Sequence, residues 1–216
     1  MKPRITRQIP LFLAGFLSLM IWACDDQVDL PDDVNEPNDA AFAIGDVGPA
    51  GGIVFLDKGD STDGWRYLEI AMQDLGRAEW GCFNTPITNS RSSTVGSGAE
   101  NTQHIIDLHD AFQSYYTNPG ECSTMSDGTV AAKIAADFSF NGFDDWHLPS
   151  SEEMFWVYQN LHAANLASFS TDDLYWTSTE NDDNTAVAIN FTNGAGGFLC
   201  KQCSDVVTVR AVRYFK

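Results

Sequence analysis

The segment HLPSSEEMFWVYQNL, residues 147–161, can begin a helix at only one point. Ser150, with Glu153 three residues on, forms a capping box: the hydroxyl accepts the free N–H near Glu153, and the carboxylate reaches back to the backbone of Ser150. Pro149 stands just outside and blocks extension upstream. Met154, Val157, Tyr158 and Leu161 recur at i, i+3, i+4 and i+7, so one stripe is buried and Trp156 falls off it. A second helix is predicted over about 102–116, with Ile105, Leu108, His109 and Phe112 on one face and Asn101 as N-cap. A third is predicted over 130–138, where Val130, Ile134 and Phe138 lie four apart.

Strands flank these helices. VGPAGGIVFLDKG followed by Trp65 to Ala71 reads as a hairpin. After the capped helix come Leu174 to Ser178, Ala186 to Phe191, Phe198 to Lys201 and Val206 to Phe215, all short and rich in β-branched and aromatic residues. The last, VVTVRAVRYF, is apolar on both alternating faces apart from its arginines. It is therefore expected to be central in a sheet, with Arg210 or Arg213 paired to an acid. A hairpin, then helices, then a run of strands is an α+β order.

The N-terminus reads as an export signal. Lys2, Arg4 and Arg7 precede an apolar run from Leu11 to Trp22, too short for a comfortable membrane span. Ile21-Trp22-Ala23-Cys24 resembles the bacterial lipobox, which implies removal of residues 1–23 and lipidation of Cys24, so that a lipid anchors the protein to a membrane. Residues 24–43 are acidic, hold two prolines and show no periodicity, as a flexible tether would. The folded domain is assigned to 44–216. The expected location is the bacterial cell envelope, periplasmic or surface-exposed.

Export permits disulfides, and Cys82, Cys122, Cys200 and Cys203 remain beyond the tether. Four cysteines allow three connectivities. The closeness of the last two favours Cys82 to Cys122 and Cys200 to Cys203.

With 30 acids against 12 bases and a net charge of -18, nucleic acid is not an expected partner. A neutral glycan, or an envelope or host protein, suits this charge better. Chemistry is sparse: the chain lacks a glycine-rich phosphate loop, a Gly-x-Ser-x-Gly elbow and a His-Glu-x-x-His pair. The cluster Asp144, Asp145 and His147 offers an acid/base or metal reading, but neighbours on one loop point in different directions, so Asp144 and Asp145 are read as turn formers beside the core anchors Trp146 and Leu148. Glu36-Pro37-Asn38 spells a lectin triplet but lies in the tether. The loop from Glu180 to Asn184 offers oxygen ligands at Glu180, Asp182 and Asp183 without the spacing of a calcium-binding loop; no cofactor is expected, and calcium there is a minor alternative. Trp80, Trp156 and Tyr175 are the candidate ligand-facing aromatics.

The ordered motifs VGPAGGIVFLDKG, DGWRYLEIA, AEWGC, TVGSGAENTQHI, AAKIAADFSFNGFDDWHLPSSEEM, LYWTSTE and VRAVRYF resemble the C-terminal domain of the Legionella collagen-like adhesin. The resemblance runs from about Ile44 to Phe215. More distantly, His147 to Met154 is similar to the Arg-Leu-Pro-Thr-x-x-Glu-Trp helix entrance of the sulfatase-modifying-factor family. Trp146, Leu148, Pro149, Ser150 and Glu153 then serve as a fold signature. These likenesses imply a C-type-lectin-like fold: a mixed, twisted sheet with two or three packed helices and adjacent N- and C-terminal strands. The fold by itself implies no activity; the adhesin resemblance implies an adhesive or glycan-binding domain, and the lack of catalytic motifs makes a non-catalytic one the expectation. Two alternatives stand beside it, a structural component of an envelope complex and a thiol oxidoreductase using Cys200 and Cys203.

Overall fold

A computed structural model describes residues 41–216 apart from 113, 171, 172, 204 and 206. The signal segment, Cys24, most of the tether and Glu36-Pro37-Asn38 lie outside the described residues.

Strands β1 (Ile53–Asp57) and β2 (Tyr67–Ile70) form the expected antiparallel hairpin, with Ile53 opposite Ile70 and Asp57 opposite Tyr67. A two-pronged Arg66–Asp57 ion pair, 2.8 and 2.9 Å, holds the base of its turn. Helix α1 spans Gly98–Ala111, α2 Ala131–Ala136 and α3 Ser151–Val157, the last running into a wider π turn at Tyr158–His162. Strands β3 (Leu174–Glu180), β4 (Thr185–Asn190) and β5 (Gly196–Cys200) make an antiparallel meander. The chain is α+β, as its element order indicates.

The final segment departs from expectation. VVTVRAVRYF is two strands rather than one central strand: β6 (Val207–Thr208) runs parallel to β3, and β7 (Val212–Phe215) pairs antiparallel with β2. The result is two sheets, ordered β1-β2-β7 and β5-β4-β3-β6. Both new strands are terminal in their sheets, yet both are buried, because irregular chain covers their outer edges. Leu75 N–H donates to Val209 O and Val209 N–H to Gly76 O, while His147 and Val212 exchange both backbone bonds at 2.8 and 2.9 Å. Edge strands need such covering when they carry apolar side chains on both faces. The strand beside β7 is β2, so the first and last strands are not neighbours as expected; β1 lies one place further out.

Both arginines of this segment find acids. Arg213 reaches Glu69 at 2.8 Å and grips Asp145 at 2.6 and 2.8 Å, so Asp145 is an ion-pair partner rather than a plain turn former. Arg210 donates to the Met72 and Ser168 carbonyls and lies 3.3 Å from Asp74.

Successive residues of a strand face opposite ways, and β3 uses this to serve two cores. Trp176 packs with Trp80, Ile105, Leu148 and Ala188, whereas Tyr175 packs with Phe55, Met154, Leu161 and Phe191. The capping box of α3 is present as predicted, and Met154, Val157 and Leu161 are fully buried with Tyr158 half-buried. Helix α1 starts four residues before the predicted position and stops five before the predicted end. Phe112 leaves helical geometry and is 42% exposed. Asn101 is thus inside the first turns, not the cap, and Ser97 precedes the helix instead.

The two disulfides join Cys82 to Cys122 and Cys200 to Cys203. Beside the first, His109 accepts the Cys82 N–H on Nε2 at 2.9 Å and faces the Ile105 carbonyl with Nδ1; burial pushes it down to about 4, so it is neutral. Glu79 is fully buried nearby, with the Tyr115 hydroxyl donating to it at 3.0 Å. Burial raises Glu79 from 4.5 to about 7, with Asp127 adding to the rise. The folded state therefore prefers the protonated acid, and this contribution is fully present below pH 4.5 and lost as pH rises through 7. Glu79→Gln, which mimics the protonated form, is expected to gain roughly 2 to 3 kcal/mol at neutral to alkaline pH. Urea unfolding on both sides of the transition checks this; an unchanged pH slope would contradict it.

Candidate functional site

The residues singled out in the sequence do not converge on one site. Trp80 is 0% exposed, its indole N–H bonded to the Thr177 carbonyl at 2.7 Å and its ring 4.9 Å from the Lys201 ammonium. Tyr175 is equally buried and hydrogen-bonds Asp74. Neither presents a face to a ligand, which corrects the expectation for both: each fills the volume between sheet and helices. Glu180 is also internal, 2.6 Å from the buried Lys201 ammonium and 2.7 Å from Arg91. Asp182 is consumed by its own turn, accepting from the Asn184 and Thr185 N–H groups and the Thr185 hydroxyl. Asp183 lies at 3.5 Å from Arg91. Glu180 and Asp182 are thus engaged by protein donors while the Asp183 side chain stays half exposed, and no cluster of three or more His, Cys, Asp or Glu suited to a metal occurs among the described residues. Trp156 does face solvent, 39% exposed beside the equally exposed Phe155, with ring centroids 5.7 Å apart.

The fold signature plays a positional part. Glu153 is fully buried, and its carboxylate accepts the Ser150 N–H, the Gly96 N–H and the Tyr214 hydroxyl, each at 2.8 Å. Burial pushes this carboxyl above the usual range, and those three donors oppose the rise. Gly98 opens α1 directly against it; a Cβ there would collide with the Glu153 carboxylate. His147 packs against Tyr214 with ring centroids 4.4 Å apart and tilted by 35°, and burial pushes it down to about 3, leaving it neutral. One acid from α3 therefore fixes the start of α1, the loop before it and a tyrosine of β7.

Above this hub lies an open groove of about 540 Å³, lined on one side by Lys58, Asp63 and Trp65 and on the other by Asn89, the 92–97 loop, Glu100 and Asn101. Trp65 forms its aromatic wall. The indole stacks on Tyr214 at 4.8 Å, so the hub below sets its angle. The Lys58 ammonium sits 4.4 Å from the ring centroid and 2.8 Å from Asp63. Asn101 is 1% exposed yet lines the groove. Its Nδ2 donates to the Ser92 carbonyl at 2.7 Å and the Ser178 hydroxyl at 3.3 Å, which fixes the amide orientation. Among the described residues no donor reaches its Oδ1. Asn89 is exposed, and among the described residues its side chain makes no hydrogen bond.

Sequence reasoning missed Trp65 and Asn101. A residue with poor helix propensity inside a helical stripe was the available signal for Asn101. A tryptophan directly after the Asp63-Gly64 turn, at the mouth of a hairpin, was the signal for Trp65.

Fold and groove together define a disulfide-tied α+β domain with an open, ligand-sized surface groove. The chain belongs to the Lcl C-terminal domain family, whose profile matches residues 88–213, in keeping with the resemblance seen in its motifs. The matched segment holds the Asn89-to-Asn101 side of the groove, and the Lys58-to-Trp65 side precedes it. No curated protein matches. Among solved structures, the chain is similar to a fimbrial protein from Bacteroides ovatus ATCC 8483 at 13% identity and a TM-score of 0.42. That alignment covers 70% of this chain and 36% of the fimbrial protein, too distant to assign fold or function.

Proposed function

We propose that this protein is a lipid-anchored, non-catalytic binding module of the bacterial cell envelope, C-type-lectin-like in organisation, that takes a glycan without negative charge in the Trp65 groove. The observation that carries this reading is the juxtaposition of an aromatic wall with amide and carboxylate side chains along one groove: Trp65, Asn89, Glu100 and Asn101. Sugars are bound by such pairings, the ring C–H face against an aromatic and the hydroxyls against a few fixed polar groups. A chain at -18 repels polyanions, which removes sulfated glycans from the favoured class.

A glycan array probed with the soluble domain tests the proposal. Binding to uncharged or cationic glycans is expected, and Trp65→Ala and Asn89→Ala should each weaken it about tenfold or more, the value of one stacked ring or one good hydrogen bond. Array silence at high protein density, or binding indifferent to both substitutions, would defeat it.

A second reading, docking to another envelope protein, is favoured by Phe198, 66% exposed on the terminal strand β5, and by the Phe155–Trp156 pair. Cross-linking in whole cells, with Phe198→Ser as the control, distinguishes the two.

A further inference from the structure

We propose that the glycan taken by the groove is an amine-bearing one, a hexosamine chain with free ammonium groups; this rests on the glycan reading above. Three observations carry it. The first is Asn101, buried to 1% exposure, whose only open valence into the groove is the acceptor Oδ1. A ligand must bring a donor to it. The second is Glu100, adjacent in the chain, with its side chain 79% exposed and His104 at 3.6 Å. The third is an ammonium already seated in the groove: Lys58 lies over Trp65 with Asp63 at 2.8 Å and Asp60 at 3.7 Å. A cation is thus stable against this aromatic face with carboxylates around it, and that position is held by the protein's own ammonium.

The two acids at the groove, Asp63 and Glu100, exceed its one lysine, so its charge favours a cation. A sugar ammonium supplies three donors and a positive charge, enough to satisfy Asn101 Oδ1 and Glu100 together. N-acetylation removes the charge and leaves one donor. A free amine is therefore distinguished from an acetamide by chemistry at this one place.

The test compares three oligosaccharides of equal length by calorimetry at about pH 6, where an amine is protonated and carboxylates are ionised. The probes are a glucosamine oligomer, its fully N-acetylated form and a cello-oligomer. The glucosamine oligomer is expected to bind about tenfold tighter than the acetylated one, as for one charge-assisted hydrogen bond. This advantage should shrink between about 20 and about 300 mM salt. Glu100→Gln should reduce the advantage of the amine over the acetamide to about threefold or less, since it removes the charge and keeps the shape. Asp144→Asn, an exposed acid away from the groove, removes the same charge and should leave the preference intact. Equal affinity for amine and acetamide, or a preference that survives Glu100→Gln or is lost equally in Asp144→Asn, would overturn the inference while the glycan reading stands. Failure of all three oligomers to bind would instead remove the glycan reading beneath it.

Discussion

Glu153→Ala is expected to destabilise the domain by about 3 to 5 kcal/mol, because it strands three donors at once in a fully buried site. The Ser150 N–H, the Gly96 N–H and the Tyr214 hydroxyl all end on this carboxylate. Loss of the Ser150 contact undoes half of the capping box; loss of Gly96 frees the loop before α1. Glu153→Gln keeps one acceptor oxygen and should recover about half of the loss. Urea denaturation of the two variants, with near-ultraviolet circular dichroism to follow the Trp65–Tyr214 stack, measures both. A Glu153→Ala protein as stable as the parent would show that the hub is not a hub.

The second large effect concerns the disulfides. Cys82 and Cys122 are 40 residues apart, Cys200 and Cys203 only 3. Closing a loop in the unfolded chain restricts it more when the loop is longer, so removing the first bond with paired alanine substitutions should cost about 4 kcal/mol and the second about 2. For a domain of this size the first corresponds to a fall of about 10 °C in Tm. The longer loop contains α1, one wall of the groove, so that variant should also bind glycan more weakly below its Tm. Equal losses from the two bonds would show that chain entropy is not what they contribute.

What could be read from the sequence was local. The capping box of Ser150 and Glu153 needs only four consecutive residues, and it was found where the letters placed it. The hairpin at β1 and β2 and the strand run after α3 are likewise set by short-range pattern and turn residues. The groove was illegible for the opposite reason. It draws on residues 58–65 and 89–101 and rests on Glu153 and Tyr214, contacts that only the tertiary arrangement supplies. Five tryptophans beyond residue 23 look alike as letters. Trp80 became core because Thr177 and Lys201 close around it, and Trp65 became a wall because a turn ends beside it. VVTVRAVRYF misled in a different way: its pattern, apolar on both faces apart from the arginines, was correct about burial and silent about which sheet each half would join.

That split segment also sets the order in which the molecule can be completed. Residues 207–208 close one sheet and residues 212–215 the other, so both depend on the same nine-residue stretch. A chain emerging N-terminus first has no finished sheet until that stretch is free. Until then the hairpin lacks its third strand, the meander lacks its parallel neighbour, and Glu69 and Asp145 wait for Arg213. Neither sheet has its full set of strands before residues 207–215 are available to pair.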